Sequence, residues 1–159
     1  MASLTVKITE SLTLNGTAQG ASNSLTISGI NEVLKRVMTI PANNDTTIVR
    51  FNTSVHTNDG AIDVNDVRYL RLTNLDGSNS IRMALHIDSG DDDSGAESYI
   101  TIVLEAGKTF MLGKVDEGLQ VDDDAVSIMT DVAALADLES IFVDSGASDV
   151  NVELFIACV

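Results

Sequence analysis

Apolar and polar residues alternate along most of this chain. From Leu4 the even positions read Leu4, Val6, Ile8, Glu10, Leu12 and Leu14, and Thr5, Lys7, Thr9, Ser11 and Thr13 stand between them. A period of two over this length predicts a half-buried strand with one wet face. The same pattern returns at 80–88, where Ile81, Met83, Leu85 and Ile87 face opposite to Arg82, Ala84 and His86. It returns again at 150–158, with Val150, Val152, Leu154, Ile156 and Cys158 on one side. Further strands are predicted at 24–29, 32–40, 46–56, 67–73, 98–105, 109–112 and 139–144, all rich in the Val, Ile and Thr that suit a pleated surface. Pro41 to Asp45 and the dipeptides Asn15-Gly16, Asp59-Gly60 and Asp76-Gly77 supply the turns. Many short strands with this punctuation predict an all-β antiparallel sandwich, with a jelly roll as the preferred topology.

One segment breaks the period. Over 125–138, Ala125, Ile128, Met129, Val132, Leu135, Ala136 and Leu138 fall at three- and four-residue spacing, just after Asp122, Asp123 and Asp124. Carboxylates in that place favour a helix N-terminus, so one short helix fits; a loop followed by a strand at 125–129 fits as well. The 159 residues are expected to form a single domain. Residues 1–24 allow two readings. Either strand 4–14 is an N-terminal arm on the small-residue link 15–24, able to dock on a neighbouring subunit, or that link is a long ordinary hairpin loop.

Composition narrows the function. Nine Lys and Arg face 24 Asp and Glu, for a net charge of −15. A surface so negative repels nucleic acid and anionic lipid, so neither is expected as a partner. The imbalance is concentrated: residues 115–159 hold 11 acidic residues and no basic one. No apolar run is long enough to span a bilayer, and the alternating N-terminus does not read as a secretion signal. With a single cysteine there is no internal disulfide, and synthesis in a reducing cytoplasm is expected.

Candidate chemistry is sparse. His56 and His86 stand alone in their stretches, without the paired spacing of a zinc site. Cys158 lies on the apolar side of its strand and is expected to be a buried, inert thiol. No nucleophile elbow or phosphate-binding loop is present, so no catalytic residue is expected. The acidic clusters at Asp88, Asp91 and Asp93 and at Asp122, Asp123 and Asp124 are candidate Ca²⁺ ligands, because Ca²⁺ takes carboxylate oxygens from flexible loops. Their EF-hand spacing is absent, and the plainer expectation is a solvated acidic surface with no cofactor. Arg68 and Arg71 differ by an odd number on one predicted strand, which puts them on opposite faces. One of them therefore needs an edge, a subunit interface or a buried carboxylate, and both are interface candidates.

Residues 67–76 read Val-Arg-Tyr-Leu-Arg-Leu-Thr-Asn-Leu-Asp, with Asn79 close behind, and residues 103–113 read Val-Leu-Glu-Ala-Gly-Lys-Thr-Phe-Met-Leu-Gly. Together with Asn31 to Ile40, Thr46 to Phe51 and Val152 to Ala157, these words resemble small β-rich virion proteins of marine and cyanobacterial tailed phages. The resemblance covers strand and turn words across most of the chain and contains no catalytic residue. It implies a non-enzymatic structural protein of the virion, made in the host cytoplasm. The first expectation is a capsid decoration or cement protein, bound to the major capsid protein as a homo-oligomer, with a trimer favoured. The alternative is a neck, tail or fibre component that binds a receptor or carbohydrate.

Overall fold

The computed structural model describes residues 2–52, 61–87, 98–113 and 138–159. They form thirteen strands: β1 (Ala2–Thr9), β2 (Thr13–Leu14), β3 (Thr17–Ala18), β4 (Ser22–Ile30), β5 (Glu32–Ile40), β6 (Asp45–Asn52), β7 (Ile62–Asp63), β8 (Val67–Asn74), β9 (Ile81–Ile87), β10 (Ser98–Leu104), β11 (Thr109–Gly113), β12 (Leu138–Asp144) and β13 (Val150–Cys158). Among the described residues there is no helix. The helix expected over 125–138 lies outside them except for Leu138, which opens β12.

Two sheets carry the core. One runs β10-β9-β12-β6-β7 and the other β11-β8-β13-β5. All their pairings are antiparallel except the short β6–β7 contact. Lettering β5, β6, β8, β9, β10, β11, β12 and β13 as a to h gives sheet orders a-h-c-f and b-g-d-e. Those orders are two interlocked Greek keys, so the sandwich is a jelly roll, the preferred topology.

The core lies between the sheets and is almost wholly aliphatic. Leu70, Leu72, Leu154 and Ile156 of one sheet meet Ile81, Met83, Ile141 and Val143 of the other, all fully buried. Each such side chain contributes about 1.5–3 kcal/mol when removed from water, which suffices without an aromatic centre. Cys158 closes this core. Burial pushes its thiol up to about 11, so it stays protonated and unreactive near neutral pH.

Turns are built by side chains. Asn74 is completely buried yet satisfied: its Nδ2 donates to the carbonyls of Asn79 (2.8 Å) and Leu104 (3.1 Å), and its Oδ1 accepts from the Asp76 N–H (3.0 Å). Asp76 Oδ1 in turn accepts from the N–H groups of Ser78 (2.8 Å) and Asn79 (2.7 Å). The word Thr-Asn-Leu-Asp…Asn is thus a self-capped corner that ties β8 to the end of β10. The Asn79 and Ser78 N–H groups hold the Asp76 carboxyl below the ordinary carboxylate value.

Residues 2–30 form a separate layer. β1 pairs with β4 over its whole length, and β2 pairs with β3 at the tip. Asn15 and Gly16 both have positive φ, 51° and 80°, as the two-residue turn of a tight hairpin requires. Residues 2–30 are thus a hairpin with its turn at Asn15-Gly16. The single strand expected over 4–14 is interrupted between Thr9 and Thr13, where the Glu10 N–H donates to the Ala21 carbonyl (2.7 Å) and the Gln19 N–H to the Leu12 carbonyl (2.8 Å). There Gly20 lies against Glu10, where any Cβ would run into the Glu10 carbonyl. A second glycine, Gly29, has no partner in the β1–β4 register and a φ of +82°, which makes it a bulge that turns the hairpin onto the sandwich.

Candidate functional site

Two surfaces present groups that the core does not consume. The first is the hairpin with its seat. Leu4 and Val6 of β1 and Leu25, Ile27 and Ile30 of β4 pack on Tyr69, Phe155, Ala157 and Val159. The seat is the outer face of the β11-β8-β13-β5 sheet. Gly113 at its edge leaves room for Leu25, whose Cδ2 would stand 3.4 Å from an added Cβ. Tyr69 and Phe155 meet edge to face with centroids 6.0 Å apart.

The hairpin's apolar row does not stop where the seat stops. Ile8, Leu12 and Leu14 continue it and are 46%, 56% and 57% exposed. Among the described residues β1 and β4 pair only with each other, so each also carries one unpaired long edge. Exposed apolar residues beside unpaired strand edges are features that folded proteins cover or use.

Arg68 and Arg71 flank this seat. Arg71 projects from the outer face, pairs with Glu153 and lies over the Phe155 ring at 5.7 Å. Lys35 joins the same carboxylate at 3.3 Å. Arg68 does not face the core. Ala157 pairs with Tyr69 and Cys158 with Val67, which leaves Arg68 as a bulge with no residue opposite. The extra residue resets the alternation, so the odd spacing of the two arginines does not put one of them inside. The Arg68 guanidinium instead donates to the carbonyls of Asn65 (2.6 Å) and Val67 (3.2 Å). Arg71 has its carboxylate partner, Glu153, within the chain.

The second surface is the outer face of the other sheet. Its register sets side chains in three rows. Tyr99, His86 and Ser140 form one, Thr101, Ala84 and Phe142 the next, and Val103, Arg82, Asp144 and Asp45 the third. Ala84, the smallest of them, leaves a depression of about 430 Å³ between an aromatic end and a charged end. At the aromatic end the Tyr99 ring lies flat on the His86 imidazole, with centroids 4.8 Å apart and planes 13° apart. Phe142 leans on both rings. At the charged end Asp144 is fixed twice, accepting from Arg82 (3.3 Å) and from the Gly146 N–H (2.7 Å).

His86 is on the polar side of β9, as its strand pattern predicts, yet it is buried because Tyr99 and Phe142 wall it in. A bulge in β12 leaves Glu139 with no partner on β9 and brings it alongside Ser140 at His86. The imidazole Nδ1 lies 3.0 Å from Glu139 Oε2 and 3.3 Å from Ser140 Oγ. A carboxylate only accepts, so Nδ1 carries the proton toward Glu139. A catalytic relay needs the acid and the nucleophile on opposite ring nitrogens, and here both stand at one. The cluster holds the ring in place under Tyr99.

The Ca²⁺ candidates Asp88, Asp91, Asp93, Asp122, Asp123 and Asp124 lie outside the described residues, as does His56. Among the described residues no group of three His, Cys, Asp or Glu converges to hold a metal. Sequence reasoning did not single out Tyr99, Phe142 or Asp144. Their meeting depends on cross-strand register, which no local pattern spells out.

Fold and surfaces together define a jelly-roll sandwich with an appended amphipathic hairpin. No protein-family model and no curated protein matches the chain. A solved structure from work on Bacillus endospore appendages, described as a novel family of disulfide-linked pili, is similar at 12% identity. It covers 82% of this chain and 89% of that chain, with a TM-score of 0.41.

Proposed function

We propose that this chain is a non-enzymatic structural protein that works by assembling, and that its assembly is the head of a tailed phage. In this reading it is a decoration protein that is made in the host cytoplasm and binds the major capsid protein as a homo-oligomer, with a trimer suited to threefold lattice positions. One observation carries the proposal: the hairpin's apolar row outruns its seat, and Ile8, Leu12 and Leu14 stand exposed beside unpaired strand edges. A row of exposed apolar side chains beside strand edges is the kind of surface at which proteins associate. The resemblance of its strand and turn words to those of small phage virion proteins points to the phage head as that assembly. The strongly negative net charge keeps the free subunit soluble and away from nucleic acid.

Cryo-electron microscopy of purified particles that carry the chain tests this. Density for the sandwich at repeated positions over the head, with the hairpin against a neighbouring chain, is the expected result. A single ring of copies at the neck or tail would replace decoration with a connector role. Absence from the particle would end the proposal.

A further inference from the structure

Resting on the assembly reading above and deepening it, we propose that the uncovered tip of the hairpin docks head to tail on the outer face of strand β5 of a second copy of this chain. The hairpin crosses its seat in one direction. At its root the Asn31 N–H donates to the Cys158 carbonyl (3.1 Å), and Gly29 stands against Val159, just past the end of β13. Farther out Leu25 reaches Gly113 on β11, the edge strand of that sheet. Ile8 lies beyond this point, because Val6 is the partner of Leu25, and Leu12 and Leu14 lie farther still. The tip therefore overhangs the β11 edge. From Ile8 to Leu14 the overhang measures roughly 20 Å at about 3.3 Å per residue.

The opposite margin of the same sheet is left bare. Cross-strand register puts Val33 of β5 in one row with Ala157, Tyr69 and Gly113, and Val37 in a parallel row with Glu153 and Thr73. The hairpin covers the first row from Ala157 to Gly113 but not its β5 end, where Val33 is 51% exposed; Val37 is 58% exposed. The face that holds the hairpin's apolar row within the chain thus continues, apolar and uncovered, onto β5. Among the described residues β5 pairs only with β13 and β11 only with β8, so both margins also end in unpaired strand edges.

Charge selects the partner. With a net charge of −15, most surfaces of two copies repel each other. The tip, residues 8–20, holds a single charged residue, Glu10, whereas β5 holds Lys35 and Arg36 against Glu32. Among the described residues neither Glu10 nor Arg36 has an ion pair. A slightly acidic tip thus meets a slightly basic strand. Two β5 strands laid edge to edge would instead set Lys35 and Arg36 of each copy against those of the other. A head-to-tail contact uses a different patch on each partner and closes into a ring where the rotation allows, as a trimer requires.

The test mixes two full-length variants, each lacking one half of the contact. Leu12→Ser, Leu14→Ser removes the apolar side chains of the tip and leaves β5 intact, and Val33→Ser, Val37→Ser does the reverse. All four residues are exposed, and unchanged circular dichroism and melting temperature will show that both variants are folded. One variant is isotopically labelled, so native mass spectrometry reads the composition of each complex. Each variant alone should associate at least about tenfold more weakly than the unaltered chain. The mixture should form a one-to-one heterodimer and nothing larger, because one working tip and one working face remain. Variants that stay monomeric when mixed overturn the proposal, as does a β5 variant that associates like the unaltered chain. In both cases association of the unaltered chain leaves the assembly reading standing on another contact. An unaltered chain that is monomeric at every accessible concentration removes this contact and the homo-oligomer together.

Discussion

The sandwich and the hairpin are written in the same alternating pattern but bury it to different depths. In the sandwich every inward residue of β13 from Val150 to Ile156 is sealed between two sheets. In the hairpin only Ile27 and Ile30 are buried, Leu4, Val6 and Leu25 are partly covered, and Ile8, Leu12 and Leu14 are open. Period two states which residues share a face. It does not state whether anything covers that face. The sandwich is therefore the stable frame, and the hairpin is the part with surface left over. Local stability follows buried apolar contact, so the hairpin should open before the frame does.

The largest effect expected is in the frame. Leu154→Ala removes a fully buried side chain from the middle of β13 and should cost about 2–5 kcal/mol, read as a lower midpoint in urea unfolding. If the cost is no greater than that of a surface change, the two-sheet core is misdrawn. A smaller, local effect is expected at the seat. Ile27→Ala should speed amide exchange in β1 and β4 while β8 and β13 keep their protection, at a cost of about 0.5–3 kcal/mol. Equal loss of protection in both layers would mean that they form one cooperative unit.

The smallest effect lies at the β8–β9 corner. Asp76 has a lowered pKa in the folded chain, so its contribution is present above the ordinary carboxylate range and fades as pH falls through the lowered value. Asp76→Asn should therefore lower stability slightly at neutral pH and flatten the acid limb of the stability curve below about pH 4, where the two proteins converge. An acid limb identical in both proteins would remove Asp76 from the account.

The frame was legible because its strands are alternating and rich in Val, Ile and Leu, which calls for a sandwich; the jelly-roll order was preferred only as a common two-sheet solution at this length. Asn15-Gly16 marked its turn for a local reason, the positive φ that both residues accept. Asp76-Gly77 looks alike on paper, yet its corner is held by the Asp76 and Asn74 side chains. Two other features could not be read from spacing. Bulges at Arg68 and Glu139 each add one residue, which turned Arg68 away from the core and brought Glu139 and Ser140 together at His86. The aromatic cluster draws Tyr99, His86 and Phe142 from three different strands, and only the register of those strands brings them together.

Sedimentation velocity of the full-length protein beside the double variant Leu12→Ser, Leu14→Ser tests the central claim most directly, since it changes only the uncovered end of the hairpin row. The account predicts that the unaltered chain associates with rising concentration and that the double variant remains a monomer with the same melting temperature. A chain that stays monomeric at every accessible concentration, or a double variant that associates as tightly as the parent, would contradict it.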